Sequence, residues 1–286
     1  MKTIFHTFIV ILIFGIMAMS FTDKTNPKTS ILIQSDDSKI SSLSLSQSAT
    51  IISNRLKDFS SEKFEITIIP EKNQIQVTLM NEQDLKTIEN LIIQKGTLAF
   101  YETYNHKSLA ELLKGNDHLF SLFTTVTANK SSAEIGCTSS VKVEKINDYL
   151  NTLGLDRKCK FAWSQHFDGS EVCLYALKTN GGNAALLSGA DIESVTSNQD
   201  KTSKNNEIDI RFKKSSVKLW AKATKRNINN AIAIVLDNNV ISAPIVCSEI
   251  NGGHSTITGN YTQAEVRYIA AIGNNGELPL HFKILK

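Results

Sequence analysis

The chain has 286 residues, of which 41% are hydrophobic and 21% are charged, ordinary proportions for a globular protein with a buried core. Its 31 basic and 28 acidic side chains give a formal net charge of +3, and no long basic run is interleaved with aromatic residues, so nucleic-acid binding is not indicated. The length allows one large domain or two modest ones.

The first twenty residues have the pattern of a secretory signal peptide. Lys2 supplies a positive start, residues 8–19 are almost wholly apolar, and Ala18 and Ser20 are the small residues that a signal peptidase requires. An uncleaved membrane anchor is the alternative, because this apolar segment is only slightly short for a membrane span. No later stretch has that length and character, so we expect the rest of the chain to be extracytoplasmic.

The first patterned region, residues 29–104, predicts a ferredoxin-like βαββαβ unit, in which two helices pack on one face of a four-stranded sheet. Its apolar residues alternate or recur with helical spacing in the order strand, helix, strand, strand, helix, strand. The six predicted elements fall at residues 31–33, 49–59, 64–69, 74–79, 85–91 and 97–103. Asn81 is the predicted N-cap of the second helix.

Residues 105–180 are predicted to form an inserted α/β segment. Apolar residues have helical spacing at 109–113 and 141–153, and two β-rich runs at 160–165 and 171–177 predict a hairpin around the turn Phe167–Ser170.

Residues 181–286 predict a second α+β unit that begins its regular pattern after a polar loop at 197–206. The elements are a strand at 207–212, a helix around Trp220, strands at 231–236 and 240–243, a helix opened by a Thr262–Glu265 capping box, and a strand at 281–285. Asn238-Asn239 is the predicted two-residue turn of the hairpin, because Asn tolerates positive φ. Trp163 and Trp220 are both predicted to be core residues.

Several motifs of the second half, in this order, resemble the SecD/SecDF protein-export family. They are Leu187–Ile192, Ala233–Asp237, Val240–Pro244, Gly252-Gly253, Ile257–Thr262 and Gly276–Pro279. Ile51–Leu56 resembles a helix motif of the same family. The resemblance implies an α+β fold with a ferredoxin-like base at 29–104 and a head subdomain at 181–286, as in the first periplasmic domain of that family.

The chain departs from the family pattern in two places. Asn229 stands where the family usually has glycine, and Asn still tolerates left-handed geometry. The sequence ends at Lys286, where the family continues into membrane helices that carry its proton-conducting groups. The resemblance therefore implies the periplasmic domain by itself, without a proton-driven motor.

Four cysteines, Cys137, Cys159, Cys173 and Cys247, have no zinc or redox spacing. An oxidising compartment permits disulfides, and their pairing is left open. Buried free thiols are the alternative.

No group of residues indicates catalysis. Asp237 is a single carboxylate beside a hairpin turn, where such a residue usually orders its own turn. Ser242 lacks the elbow motif of a nucleophilic serine, and Gly181-Gly182 is not followed by a phosphate-loop pattern. We therefore expect a protein that is not an enzyme, with no catalytic residues, no metal and no cofactor.

Gly252, Gly253 and His254 are the candidate binding residues. A double glycine lets the main chain of a partner approach closely, because no Cβ stands in the way. The alternative is that the glycines serve only the turn. On the binding interpretation, replacing both glycines with valine should weaken binding with little loss of stability.

The resemblance implies a non-catalytic extracytoplasmic binding module, accessory to protein export, that contacts unfolded or exported polypeptide in the periplasm. The alternative is a structural protein that docks on another complex of the envelope. Neither function involves nucleic acid or a small-molecule cofactor, and an uncleaved N-terminal segment would attach the protein to the membrane.

Overall fold

The computed structural model describes residues 28–80, 84–126, 132–155, 157–164, 171–179, 185–200, 204–259 and 261–285. The predicted signal peptide, Asn81, the Phe167–Ser170 turn and Gly181-Gly182 lie outside these ranges. Within them, no helix is long and apolar enough to cross a membrane.

The predicted α+β class is confirmed by six α-helices and fourteen strands in the described residues. The helices are α1 (Ser42–Phe59), α2 (Leu85–Ile93), α3 (His106–Leu112), α4 (Val143–Thr152), α5 (Val217–Arg226) and α6 (Gln263–Asn275). The strands are β1 (Thr29–Ser35), β2 (Phe64–Ile69), β3 (Gln74–Leu79), β4 (Leu98–Tyr104), β5 (Glu134–Ser139), β6 (Cys159–Trp163), β7 (Glu171–Lys178), β8 (Leu187–Ser188), β9 (Ile192–Gln199), β10 (Asn206–Phe212), β11 (Ile232–Leu236), β12 (Asn239–Ser242), β13 (His254–Thr258) and β14 (Phe282–Leu285).

The base is an antiparallel four-stranded sheet in the order β14-β1-β3-β2. The sequence-based prediction that residues 97–103 supply its last strand is wrong, because that segment is β4, which pairs with β11 of the head and β7 of the inserted segment. The physical reason is burial: both faces of β4 are covered, with Phe100 in one core cluster and Tyr101 in another. Such a strand is central in a larger sheet, and β14, from the other end of the chain, takes the outer position in the base.

Helix α1 begins at Ser42, seven residues before the predicted segment 49–59, because Ser41 caps it. The Ser41 hydroxyl accepts a hydrogen bond from the Ser44 amide, and the Ser44 hydroxyl accepts one from the Ser41 amide, which is a reciprocal capping box. The predicted apolar face of this helix is buried. Helix α2 starts at an Asp84 N-cap, whose side chain accepts from the Thr87 amide.

The larger sheet runs β12-β11-β4-β7-β5, with β6 pairing on the other side of β7. A bridge between Ser164 and Val240 brings β6 back toward β12, so β6, β7, β4, β11 and β12 surround a small core. That core is filled by Ala99, Tyr101, Ala162, Leu177, Ala233, Val235 and Val240.

The structure decides between the two alternatives for the cysteines, disulfides and buried free thiols. Cys137 on β5 and Cys173 on β7 face each other in register and form a disulfide. Cys159 is a buried thiol and Cys247 an exposed one. Burial raises the pKa of Cys159 to about 12, so this thiol stays protonated at neutral pH.

Two local predictions in the head need correction. The hairpin turn is Asp237-Asn238, one residue earlier than predicted, with φ of 46° and 72°. Residues 197–199 are not loop but the end of β9, because they pair with β10 at the edge of the sheet. Trp220 is buried as predicted, whereas Trp163 is only half-buried and donates to the Asn147 side chain.

Two chain crossings, residues 94–97 and 276–281, connect the base to the head. Arg55 on α1 joins them: its guanidinium donates to the carbonyls of Gln94 (2.5 Å) and Lys95 (3.0 Å) on one crossing and Gly276 (2.5 Å) on the other. It also donates to the carbonyl of Leu91 near the end of α2 (3.2 Å). The buried Arg55 guanidinium therefore links the head to the base by donating hydrogen bonds to carbonyls of both crossings.

Candidate functional site

An apolar groove opens in the head between residues 244–250 and strand β13. We call it the head groove. Phe100, Trp220, Ile232 and Ile234 form its floor, Pro244–Ser248 and Ile250 form one wall, and Ser255–Ile257 form the other, with Ile210 beneath them. The cavity measures about 200 Å³.

Backbone pairing positions the first wall. The Pro244 carbonyl accepts from the Ile232 amide (3.2 Å), and Val246 donates to the Asn230 carbonyl (3.0 Å). This extended course places Val246 inward and Ile245 outward, with 52% of Ile245 exposed. The Ile250 amide then donates to the Thr224 hydroxyl on α5 (2.9 Å), which fixes the end of the wall.

Two floor residues, Phe100 and Trp220, belong to an aromatic cluster whose third member, Phe212, does not line the groove. Phe100 of β4, Phe212 of β10 and Trp220 of α5 have ring centroids 4.7–5.7 Å apart. The Trp220 indole donates to the Ser255 hydroxyl on the opposite wall (2.8 Å). Ring packing and this hydrogen bond hold the Trp220 side chain, whose indole N–H therefore already has a partner.

The chemistry of the head groove suits binding. Among the described residues that line it, none carries a carboxylate, an imidazole or an amine. Acid–base catalysis requires such a group within hydrogen-bond reach of the substrate. The volume of about 200 Å³ is below the roughly 300–1,000 Å³ of pockets for drug-sized ligands and cofactors. It suits one or two apolar side chains of a longer ligand.

Strand β13 gives the groove a second property. It is an outer strand of the sheet β13-β10-β9, so one of its edges has no neighbouring strand in the described part of the chain. Such an edge presents main-chain donors and acceptors to an added strand. A bound chain could therefore pair with β13 and place a side chain in the groove.

The predicted binding residues lie next to this edge but do not line the groove. Gly253 is buried with φ of +64°, and a Cβ there would come within 2.5 Å of Val217 Cγ2. The expectation that both glycines tolerate valine is therefore wrong at Gly253. Gly252 has open space around it, and His254 is an exposed residue whose Nε2 lies 3.6 Å from Asp209 Oδ1.

Asp237 has a structural role, as predicted, but through a distant partner. Its carboxylate accepts from the amides of Gly96 (2.9 and 3.0 Å) and Thr97 (2.7 Å) on the first crossing. The prediction that it orders its own turn therefore misses the main contact.

Within the described residues, the one cluster with metal-ligand spacing is Glu134, Cys137 and Cys173. The two cysteines are bonded to each other, so the cluster offers no thiolate.

The residues that sequence analysis missed are those of the first wall. Pro244-Ile245-Val246-Cys247 is an apolar run directly after a predicted strand, and this run was the signal that the sequence offered. The floor gave no such signal, because its residues come together only through strand pairing.

Comparison with known proteins shows a similarity to SecD and SecDF. Residues 170–280 match the sequence model of the family "SecDF, P1 head subdomain". Protein translocase subunit SecD of Syntrophobacter fumaroxidans is 37% identical over 101 residues, which cover 35% of this chain and 19% of that protein. SecD of Calditerrivibrio nitroreducens is 38% identical over 79 residues, which cover 28% of this chain and 15% of that protein. The matched segment thus spans about a fifth or less of these curated relatives.

Two solved structures share the fold. One is described as a membrane component SecDF that enhances protein export; the similarity has a TM-score of 0.52 at 20% identity and covers 90% of this chain and 98% of that one. The other is SecDF in a super-membrane-facing form, with a TM-score of 0.55 at 19% identity over 90% of this chain and 29% of that one. These structures show a shared fold, and the head-subdomain model and the SecD relatives confirm the resemblance that the sequence motifs predicted.

Proposed function

We propose that this chain, which carries a periplasmic domain of the SecD/SecDF type, is a non-catalytic binding module for unfolded polypeptide during export. The observation that supports this function is the head groove, an open apolar cavity beside β13, one edge of which has no neighbouring strand among the described residues. An exported chain that is still extended offers both apolar side chains and unpaired main-chain groups. The groove receives the former and the strand edge pairs with the latter.

The expected affinity is modest. An unfolded client loses conformational freedom when it is ordered on the surface, and this cost offsets much of the contact energy. A cavity that takes one or two side chains buries little apolar area. We therefore expect dissociation constants of about 1 μM or weaker, which correspond to no more than about 8 kcal/mol. Weak binding suits a module that must release a moving chain.

The predicted site residues keep a place in this proposal. Gly252 and Gly253 lead into β13 and His254 is its first residue, so a client that pairs with the whole strand passes them. Gly252 is the one of these whose surroundings leave room for a neighbouring chain. We propose that it borders the bound backbone, whereas Gly253 shapes the turn.

The test measures binding of the full chain to one labelled client in two states, by fluorescence anisotropy. The client is a model protein held unfolded by reduction and alkylation of its cysteines, and the same protein in its folded form. We expect binding to the unfolded form only. The variant Ile245→Glu should abolish most of it, because a charge at the groove mouth disfavours an apolar side chain.

The matched control is Val141→Glu, which places the same charge on an exposed valine (85%) of the inserted segment. Both sites are exposed, so neither variant should change the melting temperature by much. Equal binding of folded and unfolded client would contradict the proposal. The protein would then be better explained as a docking module for another envelope complex.

A further inference from the structure

We infer that the head groove selects client segments in which an apolar residue adjoins acidic residues, and that Lys218 and Lys222 on α5 make this selection. The inference rests on the proposed function and names the class of polypeptide that the site takes.

The basic character of α5 is local. Residues 213–226 contain six cations and no carboxylate, although the whole chain has a formal net charge of only +3. The six are Lys213, Lys214, Lys218, Lys222, Lys225 and Arg226. A charge run of this kind is most often a solvated helix face. Whether it has a further role depends on which of these cations already have hydrogen-bond or ion-pair partners within the protein.

Three of the six cations already have partners. The Lys213 ammonium donates to the Ala190 carbonyl (2.7 Å), Lys225 lies 3.3 Å from a Glu249 carboxylate oxygen, and Arg226 pairs with Glu102. In the part of the chain that the structure describes, no carboxylate lies within ion-pair distance of Lys214, Lys218 or Lys222, and all three are exposed. No described carboxylate therefore compensates their positive charge by an ion pair.

The geometry of α5 places two of these lysines together. Trp220, Ala223 and Thr224 form its buried face. Lys218 and Lys222 are four residues apart, so their side chains lie on one face, away from the core. Their separation along the helix axis is about 6 Å at 1.5 Å per residue.

The same helix is part of the groove. Trp220 belongs to the floor, Thr224 accepts the hydrogen bond that holds Ile250 of the wall, and Lys225 pairs with Glu249 in the same segment. A client that leaves the groove over residues 247–250 therefore passes onto α5. There it meets the charge of Lys218 and Lys222.

An extended client matches this spacing. Residues two apart in a strand project to the same side and lie about 6.6 Å apart. Two acidic residues at that spacing can face Lys218 and Lys222 at once. Lysine is a flexible point charge, so this match selects for sign and approximate position rather than for one sequence. The floor and walls select only for apolar character, so the two features together define the client segment.

An anionic membrane surface would also attract these lysines, but the exposed side of α5 offers little for the bilayer. Leu219, 43% exposed, is the sole large apolar side chain with substantial exposure among its described residues. A helix that lies in a membrane interface buries a whole apolar face there, and the apolar face of α5 is already packed in the head.

The experiment uses the full chain and three labelled peptides with one apolar core, Leu-Phe-Leu. One flank reads Asp-Ser-Asp in the first peptide, Ser-Ser-Ser in the second and Lys-Ser-Lys in the third. We expect the acidic peptide to bind about tenfold more tightly than the basic one, as two exposed charge pairs of modest strength allow. About 1 M salt, where the Debye length is about 3 Å, should remove this difference and leave the binding of the neutral peptide.

The variant K218E/K222E should reverse the preference. The control K72E/K86E makes the same change in net charge at exposed lysines of the base and should leave the preference intact. Circular dichroism checks that each variant folds. If K218E/K222E does not fold, K218Q/K222Q tests the inference, because it should abolish the preference without reversing it.

Equal affinity for the three peptides would overturn the inference while leaving the proposed function in place. If K218E/K222E and the control K72E/K86E change the peptide preference equally, the inference is overturned as well, since net charge alone would then explain the preference. A different result would reassign the lysines to a membrane contact: K218E/K222E no longer binds anionic phospholipid vesicles that the unchanged protein binds, and the unchanged protein does not discriminate among the peptides. If neither the peptides nor the unfolded client bind, the proposed function itself fails.

Discussion

The buried Arg55 offers the sharpest test of how this domain holds together. Its side chain is fully buried, at 0% exposure, and it makes four hydrogen bonds to main-chain carbonyls. The replacement Arg55→Met keeps the apolar stem and much of the volume and removes every donor. The carbonyls of Gln94, Lys95 and Gly276 then lose this partner at the junction of base and head.

Two opposing contributions set the free energy of unfolding that Arg55→Met should lose. Hydrogen bonds to a charged donor contribute about 1.5 kcal/mol each at the low end, so four give about 6 kcal/mol. Burial opposes this, and it lowers the pKa of Arg55 from 12.5 to about 10. At 1.36 kcal/mol per pKa unit, that shift corresponds to about 3 kcal/mol against the charged form. The expected net loss in Arg55→Met is therefore about 3 kcal/mol.

Urea denaturation of the full chain, followed by circular dichroism, measures this loss as a lower midpoint with an unchanged m-value. Arg267→Met is the matched control, because Arg267 is exposed on α6 and its loss should cost less than about 0.5 kcal/mol. Arg55→Lys should fall between them, since an ammonium cannot span carbonyls on both crossings as a planar guanidinium does. A cost below about 1 kcal/mol for Arg55→Met would refute the reasoning, because the carbonyls would then have other donors.

The remaining predictions concern the turn, the thiols and acid stability. Gly253→Ala should cost about 1–3 kcal/mol, because φ is +64° and the new Cβ meets Val217, whereas Gly252→Ala should be nearly neutral; thermal melts of both compare them. Iodoacetamide labelling of the folded, unreduced protein, followed by mass spectrometry, should modify Cys247 and spare Cys159 until denaturant is added; rapid native labelling of Cys159 would contradict its burial. Burial alone would raise the pKa of Asp191, but hydrogen bonds from serine hydroxyls and an amide outweigh it and lower the pKa. A carboxyl whose folded-state pKa is lowered stabilises the fold above its unfolded pKa of about 3.9 and loses that contribution as pH falls through the folded value. Asp191→Asn should therefore be less stable at pH 7 and lose less stability on acidification below about pH 4; parallel acid titrations of the two proteins would contradict this.

Local patterns in the sequence determined most of the elements and the family. Ser41 and Ser44, or Thr262 and Glu265, are neighbours along the chain, and a capping box needs nothing else. The alternation of β10 and the helical spacing of α1 are likewise local consequences of burying one face. The motifs that resemble SecD and SecDF are contiguous stretches, so they could be identified before any strand was paired.

Pairing between distant segments could be decided only by the tertiary structure. β14 takes the outer position of the base because β4, covered on both faces, belongs in the larger sheet. Asp237 occupies the left-handed turn because its carboxylate holds two amides about 140 residues away in the chain. The partner of Cys137 followed from the register of two strands. The head groove needed the same information, because its floor and walls come from β4, α5, β11, β13 and residues 244–250, and their side chains meet only after hydrogen bonding has fixed which strands are neighbours.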